Sequence, residues 1–203
     1  MIKIEKDKLH HYSEIEFPDG VIILIGRNGV GKTTLLRKVE EYCKEKDIPV
    51  FSYDNYKEGS TSAMDKYLHK DMLSALASVA FHSEGEQLFF NFGEAIQEIG
   101  QFIRKNKEKE EKYILLDALD SGLDIDGIDQ VLQILNIIAK ENKGTKILVT
   151  ANNYAIIDKQ LCLDVRKGIR IKFEDFDSYA LYIRNQYKED RAKANKRGNG
   201  EIK

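Results

Sequence analysis

The chain has no tryptophan, two prolines, two cysteines and no long apolar run. Each shortage excludes something. The longest aliphatic stretch, Val21 to Ile25, is far too short to span a bilayer. The N-terminus, MIKIEKDKLHH, alternates charge without the apolar segment of a signal peptide. Cys43 and Cys162 lie far apart in no metal-type spacing, so buried thiols in a cytoplasmic protein without membrane attachment are expected. Net charge is only −2, from 32 Lys plus Arg against 34 Asp plus Glu. That balance rules out a broadly basic nucleic-acid coat, though not a local basic patch. What is present is enough for a core: 203 residues, 42% hydrophobic and 33% charged, the length of one domain with at most a small appendage.

No internal repeat is visible. Pro18-Asp19-Gly20 marks a turn between a short N-terminal strand pair (Ile2 to Ile4, Ser13 to Phe17) and the strand Val21 to Ile25. That strand is apolar on both faces, as a central parallel strand should be. A helix follows with Leu35, Leu36, Val39 and Cys43 on one face, then a strand over Ile48 to Tyr53. Helical spacing recurs at Met64, Leu68, Met72, Leu76 and Val79, and at Phe89, Phe92, Ile96, Ile99 and Ile103. Tyr113 to Asp117 reads as a strand, Asp124 to Glu141 as a helix and Lys146 to Thr150 as a strand. Leu161 to Val165 and Ile169 to Phe173 read as a closing pair, and Phe176 to Tyr187 as a last helix. Strands alternating with helices predict an α/β fold with a mostly parallel sheet. The domain is expected over 1–187, with a short helical insert at about 54–105. A basic, frayed tail is expected over 188–203, with six basic and three acidic residues.

Gly26-Arg27-Asn28-Gly29-Val30-Gly31-Lys32-Thr33 fits G-x-x-x-x-G-K-[ST], the Walker A pattern, in the right setting between an apolar strand and an amphipathic helix. Its glycines let successive N–H groups converge on phosphate oxygens, and the helix start adds its positive dipole end. Gly26, Asn28, Gly29, Gly31, Lys32, Thr33 and Thr34 are therefore the expected phosphate-binding residues. Lys32 would reach the β- and γ-phosphates, and the Thr33 hydroxyl would ligate Mg²⁺. Asp117 ends its strand at the edge where ligands sit in open α/β sheets, and it would hold Mg²⁺ through water. It also reads as a cap of the following turn.

Taken with HSEGEQ (His82 to Gln87), ILLDALDSGLD (Ile114 to Asp124) and ILVTANN (Ile147 to Asn153), the phosphate loop resembles the ABC-type ATPase heads. The likeness is to their SMC and RecF-like branch, and to small stand-alone forms in bacteria and their phages. It covers roughly Ile2 to Phe173, with four motifs in the family's order. The resemblance implies a P-loop NTPase fold with flanking helices, Mg-ATP as ligand, and a head-to-tail homodimer that sandwiches two ATP molecules. It implies that Ser83 and Gly85 reach the partner's γ-phosphate and that Asp124 lines the interface. Ser83 also reads as a helix N-cap with Glu86 completing a capping box. DNA maintenance or phage–host conflict is the setting the resemblance suggests.

Three departures from that pattern bear on turnover. The general-base Glu expected after Asp117 is Ala118, and Asp120 is the nearest acid. The switch His expected after Thr150 is missing, leaving Asn152 to contact the γ-phosphate or its water, or merely to turn the chain with Asn153. No Gln-containing loop follows Tyr53; Asp54 and Asn55 stand there and would contact the metal or its water. Lys32, Asp117, Asp120 and Asn152 are thus the expected catalytic set. A slow ATPase is the leading expectation, and an ATP-gated latch without turnover is the alternative. A small P-loop kinase is a third reading, opposed by the signature motif. A protein or DNA partner is expected from the resemblance and from the tail KEDRAKANKR.

Overall fold

A computed structural model describes residues 2–4, 6–55, 84–119 and 123–198. The strands are β1 (Ile2–Lys3), β2 (Glu14–Ile15), β3 (Gly20–Ile25), β4 (Val50–Asp54), β5 (Lys112–Asp117), β6 (Thr145–Thr150), β7 (Leu161–Asp164) and β8 (Ile169–Ile171). The helices are α1 (Lys32–Glu45), α2 (Glu84–Lys105), α3 (Ile125–Glu141), α4 (Tyr154–Ile157) and α5 (Phe176–Gly198). The main sheet has the order β4-β5-β6-β3-β7-β8, parallel throughout except for the β7–β8 hairpin. β1 and β2 form a separate antiparallel pair. The expected mostly parallel sheet, flanking helices and N-terminal strand pair are all observed.

β3 shows why the sheet is arranged this way. Side chains alternate between faces along a strand, and both faces of β3 are apolar. Ile23 and Ile25 enter one core with α2, α3 and α4, through Ile99, Ile128, Leu135 and Ile156. Ile22 and Leu24 enter the other, with Leu35, Val39 and Cys43 of α1 and with Ile2, Ile15 and Phe17 of the N-terminal pair. A strand covered on both sides sits mid-sheet, with β6 and β7 as its neighbours. The chain leaves β3 toward β4 at one edge and later returns to β7 on the other side. The switch in direction opens a crevice at the C-terminal end of β3, where α/β sheets bind ligands.

Element ends shift by a residue or two from the sequence reading, as helix and strand ends commonly do. One difference is larger: α5 continues through Gly198, into the segment expected to fray. That segment holds good helix formers and an i, i+4 acid-to-base spacing, Glu189 to Lys193, which favours helix. The helical spacing seen at Met64 to Val79 lies outside the described residues. So do Ser83 and Asp120. Among the described residues, no helix is long and apolar enough to cross a membrane.

Candidate functional site

The phosphate loop links β3 to α1 at the crevice. Gly26, Gly29 and Gly31 all have positive φ, at 140°, 79° and 101°. A Cβ at Gly26 would stand 2.7 Å from Val30 Cγ1, so the loop closes only on glycine there. Gly31 is the left-handed N-cap of α1, and no side chain caps this helix. Its leading N–H groups face the cleft without a capping oxygen, which suits an anion. Lys32 is buried, and its Nζ donates to Gly26 O at 2.7 Å and to Arg27 O at 3.4 Å. The ammonium is thus folded over the loop it serves.

Leu9, Asn28, Gly29, Gly31, Lys32, Thr33, Thr34, Asp117, Ala118, Thr150 and Asn152 line one cleft of about 390 Å³. The structure thus brings together the expected phosphate loop, the strand-end carboxylate and Asn152. These come from the ends of β3, β5 and β6, which are far apart in sequence. The Asn pair divides its work: Asn152 lines the cleft, while the Asn153 side chain accepts from Ala155 N–H at 3.0 Å and caps α4. Asp124 is the N-cap of α3, accepting from Gly127 N–H at 2.7 Å. Gly85 lies in the first turn of α2.

The far wall of the cleft is held by a hydrogen-bonded chain that sequence reading missed. Thr150 Oγ1 donates to Asp117 Oδ1 at 2.5 Å and accepts from Ala118 N–H at 2.7 Å. The Ala118 carbonyl accepts from Asn55 Nδ2 at 3.2 Å. Ala118 itself is buried in the left-handed region, with φ 55°. A non-glycine residue there is strained by roughly 1 kcal/mol, and side chains from β6 and from just past β4 hold its N–H and its carbonyl. The only hint in the sequence was that Thr150 ends its strand level with Asp117. Nothing in the sequence set Asn55 against residue 118.

The donor set fits a hard divalent cation. Asp117 would supply a carboxylate and Thr33 a hydroxyl, and both residues line the one cleft. Among the described residues there is no cluster of three or more His, Cys, Asp or Glu placed to hold a metal ion. Mg²⁺ bound with nucleotide phosphates takes only one or two carboxylates from protein.

The sequence model of the "ATPase family associated with various cellular activities (AAA)" matches residues 22–175, from within β3 to the approach of α5. The chain belongs to this AAA ATPase family. Similar solved structures include cbiO1 from Clostridium perfringens, part of the ABC transporter complex cbiONQ. The identity is 18% and the TM-score 0.39, covering 77% of each chain. The SMC head bound to the C-winged helix domain of ScpA is 18% identical over 47% of this chain and 28% of that one, at TM-score 0.32. Cdc6p from Pyrobaculum aerophilum is 17% identical over 73% of this chain and 35% of that one, at TM-score 0.36. No curated protein sequence matches the chain significantly.

The family match supports a P-loop ATPase domain. The phosphate loop of the AAA domain is also tied to its last helix. The Arg27 guanidinium lies 4.5 Å from the centre of the Tyr187 ring on α5. The same helix sends Tyr182 and Gln186 to the buried carboxylate of Asp164, next to Val165, whose N–H donates to Ile25 O.

Proposed function

We propose that this AAA-family chain binds Mg-ATP in the cleft and hydrolyses it slowly within an ABC-type, head-to-tail homodimer. The observation that carries the reading is the convergence of Lys32, Thr33, Asp117 and Asn152 on one cleft at the sheet edge. The backbone N–H groups of the loop and the start of α1 receive the phosphates. Lys32 leaves its carbonyl contacts to pair with them. Thr33 and Asp117 hold Mg²⁺, which when bound neutralises charge on the β- and γ-phosphates. Asn152 orients the γ-phosphate or a water. Ser83, Gly85 and Asp124 complete the partner's site, as the resemblance to ABC-type heads implies. That resemblance also supports a DNA or protein partner.

A second reading is favoured by Ala118, which lines the cleft where those heads carry a carboxylate and cannot accept a proton. The dimer would then be an ATP-gated latch. Loss of a positioned base typically costs about 10²–10⁴ in rate, so the two readings separate by turnover. The experiment is ADP formation from labelled ATP over hours at high protein concentration, with dimerisation followed by light scattering. Lys32→Ala should abolish or strongly weaken ATP binding, and unchanged affinity would remove the phosphate-loop reading. Loss of turnover in Asp120→Ala would make Asp120 the base. ATP left intact beside a stable ATP-dependent dimer would establish the latch. Ser83→Arg should leave nucleotide binding intact and prevent the dimer; a normal dimer would sink the head-to-tail arrangement.

A further inference from the structure

The loop between β1 and β2 closes one side of the cleft, and the phosphate motifs do not explain its construction. Asp7 Oδ1 accepts from the N–H groups of Leu9 and His10, both at 2.7 Å, which folds the segment into a tight turn. Leu9 lines the cleft. His10 is fully buried, with Nε2 at 3.3 Å from the carbonyl of Gly31 and Nδ1 at 3.3 Å from Lys38 Nζ on α1. Lys38 Nζ also pairs with Asp7 Oδ2 at 2.7 Å. The approach is close: a Cβ on Gly31 would lie 3.1 Å from Leu9 Cβ and 3.2 Å from His10 Nε2. The other end of the segment is fastened as well. His11 N–H donates to Arg166 O at 3.0 Å, the Tyr12 hydroxyl donates to Val165 O at 2.9 Å, and Val165 N–H donates to Ile25 O at 3.2 Å.

We infer that this segment, residues 6–12, is a brace for the phosphate loop and that His10 is its positioning residue. The brace reaches the loop at Gly31 directly and, through Val165, at Ile25 just before it begins. The inference rests on the ATP-binding reading above and deepens it. The partners decide the proton. The Gly31 carbonyl can only accept, so Nε2 must carry hydrogen. Nδ1 lies between the Lys38 ammonium, which can only donate, and Asp7 Oδ1 at 3.4 Å, which can only accept. Burial disfavours the charged ring and so selects the neutral Nε2–H imidazole, with Lys38 donating to Nδ1. Gly31 O also accepts from Leu35 N–H at 2.8 Å, the first hydrogen bond of α1. His10 thus clamps the carbonyl that starts the helix whose N-terminus receives phosphate.

The surroundings keep that form at neutral pH. Burial holds the imidazole below its ordinary range, helped by the charge of Lys38 and opposed by the Gly31 carbonyl and Asp7. On the hairpin side the Tyr12 ring packs edge-on at 5.9 Å, and the Asp164 carboxylate acts on Tyr12 from that side. As pH falls through the depressed value a proton enters Nδ1. The ring then gives up its contact to Lys38 and competes with it for Asp7, which loosens the brace.

The test titrates Mg-ATP into the full chain by calorimetry at pH 7.5 and down an acid series, with amide exchange at Leu35 followed in parallel without nucleotide. Wild type, His10→Ala, His10→Gln and Lys32→Ala are compared. His10→Ala should weaken ATP binding about tenfold at pH 7.5, from a lost buried hydrogen bond and a loosened loop. It should also speed exchange at Leu35. His10→Gln keeps an N–H at the Nε2 position and should restore most of both. As pH falls below the imidazole's depressed value, wild type should lose more affinity than His10→Gln, because the glutamine has no proton to gain. Wild-type affinity and Leu35 exchange in His10→Ala would overturn the brace, and so would a glutamine variant as impaired as the alanine. Equal ATP binding by wild type and Lys32→Ala would instead overturn the ATP reading. Leu35 exchange would then decide the brace on its own.

Discussion

Replacing Thr150 with Val tests the construction of the carboxylate wall. The two side chains are close in shape, so the cavity term is small, but the hydroxyl is lost. Two effects follow from the distances. The buried Ala118 N–H, now 2.7 Å from Oγ1, loses its acceptor, and an unmet buried donor costs about 1–3 kcal/mol. Asp117 Oδ1 loses a donor at 2.5 Å, a charge-assisted bond worth about 1.5–3 kcal/mol when buried. Asp117 is only half-buried and water can replace part of that bond. A total of about 2–4 kcal/mol is expected, or a melting temperature lowered by about 4–16 °C in a domain of this size. Without tryptophan, far-UV circular dichroism in urea is the natural assay. Thr150→Ser keeps the hydroxyl and should lose about 1 kcal/mol, the value of one buried methyl. The valine variant should also bind Mn²⁺ less tightly in the presence of ATP, because the metal carboxylate is no longer held. A valine variant within about 0.5 kcal/mol of wild type would refute the reasoning, since a buried donor cannot lose its acceptor at no cost.

Three further outcomes are expected. Ala118→Glu restores a carboxylate on the cleft wall and should raise ATP turnover by about 10²–10⁴; turnover unchanged in a folded variant would show that the missing base does not limit the rate. Asp164→Ala should destabilise by about 3–5 kcal/mol in thermal melts. Four donors converge on that fully buried carboxylate: the N–H groups of Arg166 and Lys167, each at 2.9 Å, Tyr182 and Gln186. Burial pushes the thiols of Cys43 and Cys162 up to about 12, so both are neutral at pH 8. A disulfide reagent should label neither in the native protein and both in denaturant, and rapid native labelling would contradict their burial.

Much of the fold and the glycine-rich loop could be read along the chain, because both depend on local pattern. Apolar runs at strand spacing, apolar stripes at helical spacing and a glycine-rich loop between a strand and a helix are set by neighbours within a few residues. The strand Val21 to Ile25 announced its central place through apolar residues on both faces, and Asp117 announced its edge by ending its strand. Other features come from residues that meet only once the sheet is assembled. Strand order decided that Thr150 would stand beside Asp117, and that Asn55 would reach the carbonyl of Ala118, 63 positions away. The folding of β1 and β2 onto α1 placed His10 against Gly31, 21 positions on. A lone histidine in an N-terminal loop has no periodicity to mark it. Its meaning lies in the carbonyl and the ammonium on either side of its ring, and only tertiary packing supplies those. Sequence by itself marked the loop where phosphate is expected to bind; the tertiary structure decided what holds that loop and its carboxylate in place, because hydrogen bonds are short and their partners here come from segments far apart in the chain.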